Sequence, residues 1–323
     1  MQYALVGQTG LRVSRIALGT ALFGLTPDED TCDIVVRTAV ELGINLFDCA
    51  NTYGNRASFD RDGLPAAAQR RHAEELLGRA VKGLRDDVVI CTKVSEPVGD
   101  GVNDAGLSRY HIMREAEQSL RRLGTDHIDI YHLHHPCQET ALDETLRAMD
   151  DLVHQGKVRY VALSTYPGWQ MTKAVMTADR DHLARPVLNQ VWYNLLQREV
   201  EADVVPAALD LDLSLTCFSP LAGGALAGTE VMDRRYSGLK RWGLPFDYTP
   251  DQRNAATKLQ LLAAEWGHAP AHLAIRWLLS RPAVASAIVG PETAEELERS
   301  VAAIAVELDA GQLTVMDGIG QVS

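Results

Sequence analysis

RYHIMREAEQSLRRLGTDHIDIYHLHHPCQETALDETLRAMDDLVHQGKVRYVALS, residues 109–164, reads as helix, strand, helix, strand. Arg109–Leu123 and Leu142–Gln155 carry apolar residues at three- and four-residue spacing, and each run stops on a glycine, Gly124 or Gly156. Between and after them, Ile128–Leu133 (IDIYHL) and Val158–Ser164 (VRYVALS) have the continuous apolar character of strands buried in a parallel sheet. The alternation extends both ways. Upstream lie strand-like Arg15–Thr20, Ile44–Asp48 and Val88–Lys93; downstream lie Pro186–Val191, Leu213–Phe218 and Ala285–Val289. Helical patterns separate them at Glu29–Leu42, His72–Gly83, Gln170–Ala178, Ala202–Leu209, Pro270–Leu279 and Ala294–Ala303.

Eight alternating units predict an α/β fold with a parallel sheet, and eight is the number that closes a (β/α)8 TIM barrel. An open doubly wound sheet is the rival, but it calls for a GxGxxG turn after its first strand. Leu18-Gly19-Thr20-Ala21 offers nothing of that kind. Ahead of the first unit, Tyr3-Ala4-Leu5 and Arg12-Val13-Ser14 flank the turn residues Gln8-Thr9-Gly10, the pattern of an N-terminal β-hairpin placed to plug one end of the barrel. No linker-like stretch divides the 323 residues, so 1–323 reads as a single barrel domain with long loops at its C-terminal face.

The formal net charge of −12 repels nucleic acid and favours solubility. Five cysteines (Cys32, Cys49, Cys91, Cys137 and Cys217) make no CxxC and no even framework, which points to a reducing compartment and away from structural zinc. Met1 to Gly10 lacks a signal-peptide pattern and no apolar run reaches membrane-spanning length. The expectation is a cytoplasmic protein that binds neither nucleic acid nor membrane, and no metal site is foreseen.

In a barrel, chemistry sits where strands end. The second strand ends at Asp48, with Tyr53 five residues on; the third ends at Lys93; the fourth runs into His134. Each has an ordinary structural explanation: a cap, a loop aromatic, a surface charge, a hydrogen-bonded core histidine. Four titratable residues at three successive strand ends are harder to explain that way. A free tyrosine ionises near pH ~10 and is a poor acid at neutral pH. An ammonium beside it lowers that value, and a carboxylate keeps a buried lysine charged. A neutral histidine can orient a carbonyl oxygen toward the phenol. The set is a general acid for carbonyl reduction or a base for alcohol oxidation, and the hydride must come from a cofactor.

These segments resemble the aldo-keto reductase family over nearly the whole chain, from about Tyr3 to about Ser300, most closely its bacterial and potassium-channel-β-like branches. The phrases that carry the resemblance occur in family order: VGQTGLRVSRIALGTALFG, INLFDCANTYG, VVICTKV, SLRRLGTDHIDIYHLHHP, GKVRYVALSTYPGWQ, LNQVWYNLLQREVE, FSPLAGGALAG and SAIVGPETAEELERS. The resemblance implies an NAD(P)H-dependent oxidoreductase acting on a small carbonyl or alcohol, with Asp48, Tyr53, Lys93 and His134 as its catalytic tetrad. His132 and His135 compete with His134, and the family's spacing to the following Pro selects His134. By the same resemblance Ser164, Thr165 and Gln190 hold the nicotinamide carboxamide, although the family's usual residue at Thr165 is Asn. Phe218 stands where an aromatic stacks on the nicotinamide. Ser219, Leu221 and Gly223 run beneath the pyrophosphate, and Gly19, Thr20, Gly290 and Thr293 complete the cofactor segments.

After the eighth strand, related chains often read GARTPEQLEEN, whose Arg meets the adenosine 2′-phosphate of NADP. Here Glu292 takes the Arg position, Glu296 the Gln position and Ser300 the Asn position. Carboxylates repel a phosphate dianion and can accept hydrogen bonds from a ribose 2′-hydroxyl, so NAD(H) is the expected cofactor and NADP(H) the alternative. Thr293 and Glu296 also form a T-x-x-E capping box, which gives part of this acidity a structural explanation. Two long loops stand out: Asn55–Gln69, with Arg56, Phe59, Asp60 and Arg61, and Gly228–Pro250, with Arg234, Arg235, Lys240, Arg241 and Trp242. A non-catalytic nucleotide-binding subunit and a metal- or phosphate-dependent barrel enzyme are the rival functions. The intact tetrad argues against the first; the lack of paired carboxylates at strand ends argues against the second.

Overall fold

The structure is a computed structural model that describes residues 1–232 and 247–319. Arg234, Arg235, Lys240, Arg241 and Trp242 lie outside the described residues.

A two-stranded antiparallel hairpin comes first, β1 (Tyr3–Leu5) and β2 (Arg12–Ser14). Eight parallel strands follow and close into a barrel: β3 (Ile16–Gly19), β4 (Leu46–Asp48), β5 (Val89–Val94), β6 (Ile128–Leu133), β7 (Val158–Ser164), β8 (Leu188–Trp192), β9 (Ser214–Phe218) and β10 (Val284–Val289). The last strand pairs with the first, Ala287 beside Ile16, so no edge remains. Strand alternation divides the apolar residues into two layers. Ala17, Leu46, Val89, Cys91, Ile130, Ala162 and Leu188 fill the barrel. Ile16, Leu18, Phe47, Ile90, Tyr131, Val161 and Leu163 face the surrounding helices.

Val6 and Val13 of the hairpin are buried in the interior layer, and the Gly7 N–H donates to Ser214 Oγ at 2.8 Å at the start of β9. The hairpin thus plugs the N-terminal end. Asp48, Lys93 and Ser164 lie toward the other end, near the carboxyl ends of their strands.

The helices are α1 (Glu29–Glu41), α2 (Ala73–Ala80), α3 (Arg109–Leu123), α4 (Leu142–His154), α5 (Gly168–Asp181), α6 (Val204–Asp210), α7 (Thr229–Met232), α8 (Pro250–Trp266), α9 (Pro270–Leu279), α10 (Ala294–Ala302) and α11 (Ala310–Asp317). In α3, Ser108 caps the first turn by accepting from the His111 N–H, and Gly124 ends the helix at φ 64°. Helices α7, α8 and α11 are absent from the sequence reading, which takes α7 as part of the Gly228–Pro250 loop. α8 buries mostly alanine (Ala255, Ala256, Ala263, with Leu259), so its apolar stripe is faint. Its ends were legible: Thr249 and Gln252 form a capping box, Pro250 is the first helical residue, and Gly267 closes it at φ 73°.

The loop at 55–69 is ordered by one buried cation. The Arg70 guanidinium, 1% exposed, donates to the carbonyls of Gly54, Arg56 and Pro65 and pairs with Asp60. That wrapping turns Phe59 inward against Leu22 and Leu25.

Candidate active site

Inward-facing side chains near the carboxyl ends of the strands converge. Lys93 of β5 lies in register with His132 of β6, Asp48 of β4 with Gly19 of β3, and Ser164 of β7 with Gln190 of β8. Lys93 Nζ is fully buried and lies 2.8 Å from the Asp48 carboxylate, 2.6 Å from the Cys49 carbonyl and 3.3 Å from Tyr53 Oη. Gln190 Nε2 donates to Asp48 Oδ1 at 2.7 Å. The result is one hydrogen-bonded row, Gln190–Asp48–Lys93–Tyr53, assembled from three strands and a loop. A buried ion pair adds little net stability once desolvation is counted, so its place at the cleft needs a chemical reason.

Burial works against charge on Lys93, but the Asp48 carboxylate and the Tyr53 phenol outweigh it and hold the ammonium above its ordinary range. Tyr53 differs from the sequence expectation. Burial raises its pKa more than Lys93 lowers it, and the phenol is pushed up to about 12. Tyr53 is therefore a protonated donor at neutral pH.

His134 is 7% exposed, and its ring meets Tyr53 edge-on at 5.9 Å between centroids. Burial and the Lys93 charge keep it neutral. His135 stacks on His134 at 4.6 Å and 7° and shares a 2.9 Å hydrogen bond with Thr165 Oγ1. His132 lies deeper, with Nδ1 at 3.2 Å from the Leu163 carbonyl, and burial and then Lys93 lower its pKa to about 3.

A cleft of about 620 Å³, within the range of small-molecule sites, opens over this row. At its floor are Asp48, Tyr53, His134, Ser164, Gln190 and Phe218. It extends past Gly19, Thr165, Ser219, Leu221 and Gly223 to Gly290, Glu292, Glu296 and Ser300. Lys93 stands behind the lining. Two residues of the expected cofactor set do not line the cleft. Thr20 is buried, with its N–H and hydroxyl on the Asp48 carbonyl at 2.9 and 3.0 Å. Thr293 caps α10 by accepting from the Glu296 N–H. The capping box is only half formed, because the Glu296 carboxylate accepts from the Glu292 N–H at 2.9 Å rather than from Thr293.

Thr165 and Ser219 hold left-handed backbone at φ 58° and 52°. A β-branched residue is strained there and Asn is not, which gives the family's usual Asn at the first position a backbone reason. Here the Thr165 N–H donates to the Gln190 carbonyl at 2.8 Å and its hydroxyl to the His134 carbonyl at 3.3 Å, and these bonds hold the turn.

The sequence reading does not anticipate Trp192 and Glu96 in the cleft wall. Trp192, two past Gln190 on β8, stacks on Phe218 at 6.4 Å and 15°, and the strand's period of two could have found it. Arg299 borders the cleft beside Glu296. Glu96, three past Lys93, meets Arg56 at 2.8 Å and accepts from Thr52 Oγ1 at 2.7 Å. Glu96, His134 and His135 offer ligand atoms within 4.8 Å of one another. The two rings are nearly parallel, however, so their lone pairs do not converge, and Arg56 already neutralises the carboxylate.

A closed parallel barrel with its cleft at the carboxyl ends of the strands puts the chain in the class of (β/α)8-barrel proteins whose chemistry lies at that face. A sequence profile of the Aldo/keto reductase family matches residues 15–321, and the chain belongs to that family. It is 38% identical to the uncharacterized oxidoreductase YrpG of Bacillus subtilis, over 99% of this chain and 96% of the relative. It is 32% identical to a probable voltage-gated potassium channel subunit beta of Arabidopsis thaliana (95% and 92% covered). With the L-glyceraldehyde 3-phosphate reductase of Escherichia coli K12 the identity is 30%, with 94% and 88% covered. The protein is an enzyme of NAD(P)H-dependent carbonyl reduction acting on a small molecule. Among the described residues no helix is long and apolar enough to cross a membrane.

Proposed function

We propose that Tyr53 is the general acid of carbonyl reduction and, in reverse, the base of alcohol oxidation. The observation that carries this reading is the position of Lys93 Nζ, 3.3 Å from the phenol and 2.8 Å from a buried carboxylate. As an alkoxide forms on the substrate, Tyr53 gives it a proton, and the ammonium held by Asp48 stabilises the tyrosinate left behind. Gln190 keeps Asp48 in place, and His134 borders the place where the substrate oxygen meets the phenol. Bound nicotinamide supplies the hydride.

The chain's residues suit that cofactor. Phe218 presents an aromatic face to the cleft, and Ser164, Thr165 and Gln190 offer polar groups beside it. At the far end the cleft is open beside Gly290, where a Cβ would meet nothing within 4 Å. Ser219, Leu221 and Gly223 would run under the pyrophosphate. Incubation with NADH or NADPH and a panel of small aldehydes, followed by loss of the reduced nicotinamide's near-ultraviolet absorbance, tests the reading. No turnover with any aldehyde would overturn it. Phe218→Ala is expected to weaken dinucleotide binding about two- to tenfold, since an aromatic stack contributes ~0.5–1.5 kcal/mol beyond area burial. Unchanged affinity by fluorescence titration would contradict the stack.

The cofactor preference we propose is NAD(H) over NADP(H). Glu292 and Glu296 both line the adenosine end of the cleft and are linked by the 2.9 Å hydrogen bond from the Glu292 N–H, which aims a second carboxylate at the same spot. A 2′-phosphate there is repelled; a 2′-hydroxyl can donate to a carboxylate. Arg299 is the counterweight on the same wall. The expected result is a higher kcat/KM with NADH than with NADPH for one aldehyde. Glu292→Arg should move that ratio toward NADPH by about tenfold, the scale of one hydrogen bond to a charged group. A clear NADPH preference of the unaltered protein would refute the proposal.

A further inference from the structure

An aldehyde that meets Tyr53 enters between walls of two kinds. Leu22, Pro27 and Phe59 come from the segments after β3 and β4, and Trp192 comes from the end of β8, across the closed barrel from β4. Leu22 and Phe59 pack together with Leu25 and give one wall a firm apolar surface. Beside it stands a charged pair. Arg56, three residues after Tyr53, and Glu96, three after Lys93, both line the cleft, and the guanidinium meets Glu96 Oε1 at 2.8 Å.

The two members of this pair are held differently. Glu96 is only 11% exposed, and Thr52 Oγ1 donates to its other oxygen at 2.7 Å. Its oxygens also lie 3.5 Å from His135 Nε2 and 3.7 Å from His134 Nδ1. Burial opposes its ionisation, but His135, His134, Thr52 and Arg56 outweigh that and hold the carboxyl well below the usual range. Glu96 is thus a fixed negative charge at neutral pH. Arg56 is 39% exposed, with its guanidinium 5.8 Å from the centre of the Phe59 ring. A guanidinium so placed, with no carboxylate beside it, would draw a carboxylate or phosphate into the cleft. Glu96 already occupies it and repels a second anion. An anionic aldehyde would therefore lose hydration here without gaining a net opposite charge. An uncharged one loses little, and its body gains contact with Leu22, Phe59 and Trp192.

We propose that Glu96 is a specificity-determining residue. By holding Arg56 in an ion pair, it suits the carbonyl end of the cleft to uncharged aldehydes with an apolar body and turns away those that carry a carboxylate or phosphate. Glu96 acts through Arg56 and takes no part in hydride or proton transfer. The inference rests on the reading of the cleft as a carbonyl-reducing site. Charge preference is also measured by binding without turnover, so the two can fail separately.

The test compares meta- and para-carboxybenzaldehyde, each against its methyl ester, which is uncharged and similarly electron-withdrawing. The full chain with saturating NADH should reduce the esters with the higher kcat/KM. In Glu96→Gln the acid-to-ester ratio should rise about tenfold or more, the scale of a hydrogen bond to a charged group. Taking the ratio within each variant cancels any general loss of activity. In Arg56→Gln the ratio should stay low, and in the double variant Arg56→Gln/Glu96→Gln most of the gain should vanish, because it comes from the released guanidinium. Fluorine NMR titration of para-fluorobenzamide and para-fluorobenzoate, with and without NADH, reads the same preference in the absence of turnover. The unaltered protein should bind the amide more tightly, and this arm decides even if a variant fails to fold. If no aldehyde is reduced but the amide is preferred, the carbonyl-reducing reading fails and the charge preference stands. A preference of the unaltered protein for the acids or for fluorobenzoate overturns the proposal. So does failure of both fluorinated probes to bind, an unchanged ratio in Glu96→Gln, or a full gain without Arg56.

Discussion

Tyr53→Phe is expected to lower the rate of aldehyde reduction by about 10²–10⁴-fold, the usual contribution of a positioned proton donor, while dinucleotide affinity stays nearly unchanged. The substitution removes one oxygen. The ring stays against Lys93 Nζ, which lies 4.7 Å from its centroid, so the wall of the cleft keeps its shape. What is lost is the only hydroxyl within hydrogen-bonding distance of Lys93 Nζ among the described residues. Because burial holds the phenol up to about 12, Tyr53 should remain the protonated donor across neutral and mildly alkaline pH in the cofactor-free protein. The ultraviolet difference titration between the unaltered protein and Tyr53→Phe should accordingly show one tyrosine ionising about two units above a free phenol, whose pKa is ~10. Near-normal turnover in the variant would remove Tyr53 from the mechanism. A difference titration centred near pH ~10 would mean that Lys93 outweighs burial after all.

Lys93→Met should damage chemistry and stability together. The methionine fills the same channel without charge, and Asp48 is left buried with Gln190 as its remaining side-chain partner. Removing one member of a buried pair typically costs ~3–5 kcal/mol, because the other charge is left uncompensated. Urea unfolding should show a lower midpoint of that order. The sign with pH follows from Lys93, whose folded pKa is raised above its ordinary value. Its stabilisation is fully present below the unfolded pKa and is lost only as pH rises through the raised folded one, in strongly alkaline solution. The stability gap between the two proteins should therefore be constant around neutral pH. Turnover should fall as well, since the two influences that draw the Tyr53 pKa down, the charge of Lys93 and its hydrogen bond, vanish together. A variant of unaltered stability and turnover would show that the Asp48–Lys93 pair is incidental.

Much of this molecule is legible in its sequence because the relevant physics is local. The residue ranges of β6, β7, α3 and α9 follow from apolar periodicity and caps alone. The hairpin follows from two short runs around a Gly-containing turn. That Asp48, Lys93 and His134 come together is legible because a parallel barrel turns strand ends toward one face, so position in the chain translates into position in space. Where the local signal weakens, so does the reading: α8 is nearly all alanine on its buried side and was passed over.

Local patterning along the chain is enough to specify the barrel and the residue types at its carboxyl face. How those residues act on one another follows from the folded arrangement. That the Arg70 guanidinium gathers three carbonyls and a carboxylate, and so folds the 55–69 loop into a wall of the cleft, depends on backbone positions with no sequence mark. That Glu96 reaches Thr52, Arg56, His134 and His135 at once depends on three loops meeting. That Tyr53 is a weaker acid than a free phenol depends on how far burial exceeds the pull of one ammonium. Desolvation and Coulomb energy are set by distances between residues far apart in the chain, and these distances exist only once the chain has closed on itself.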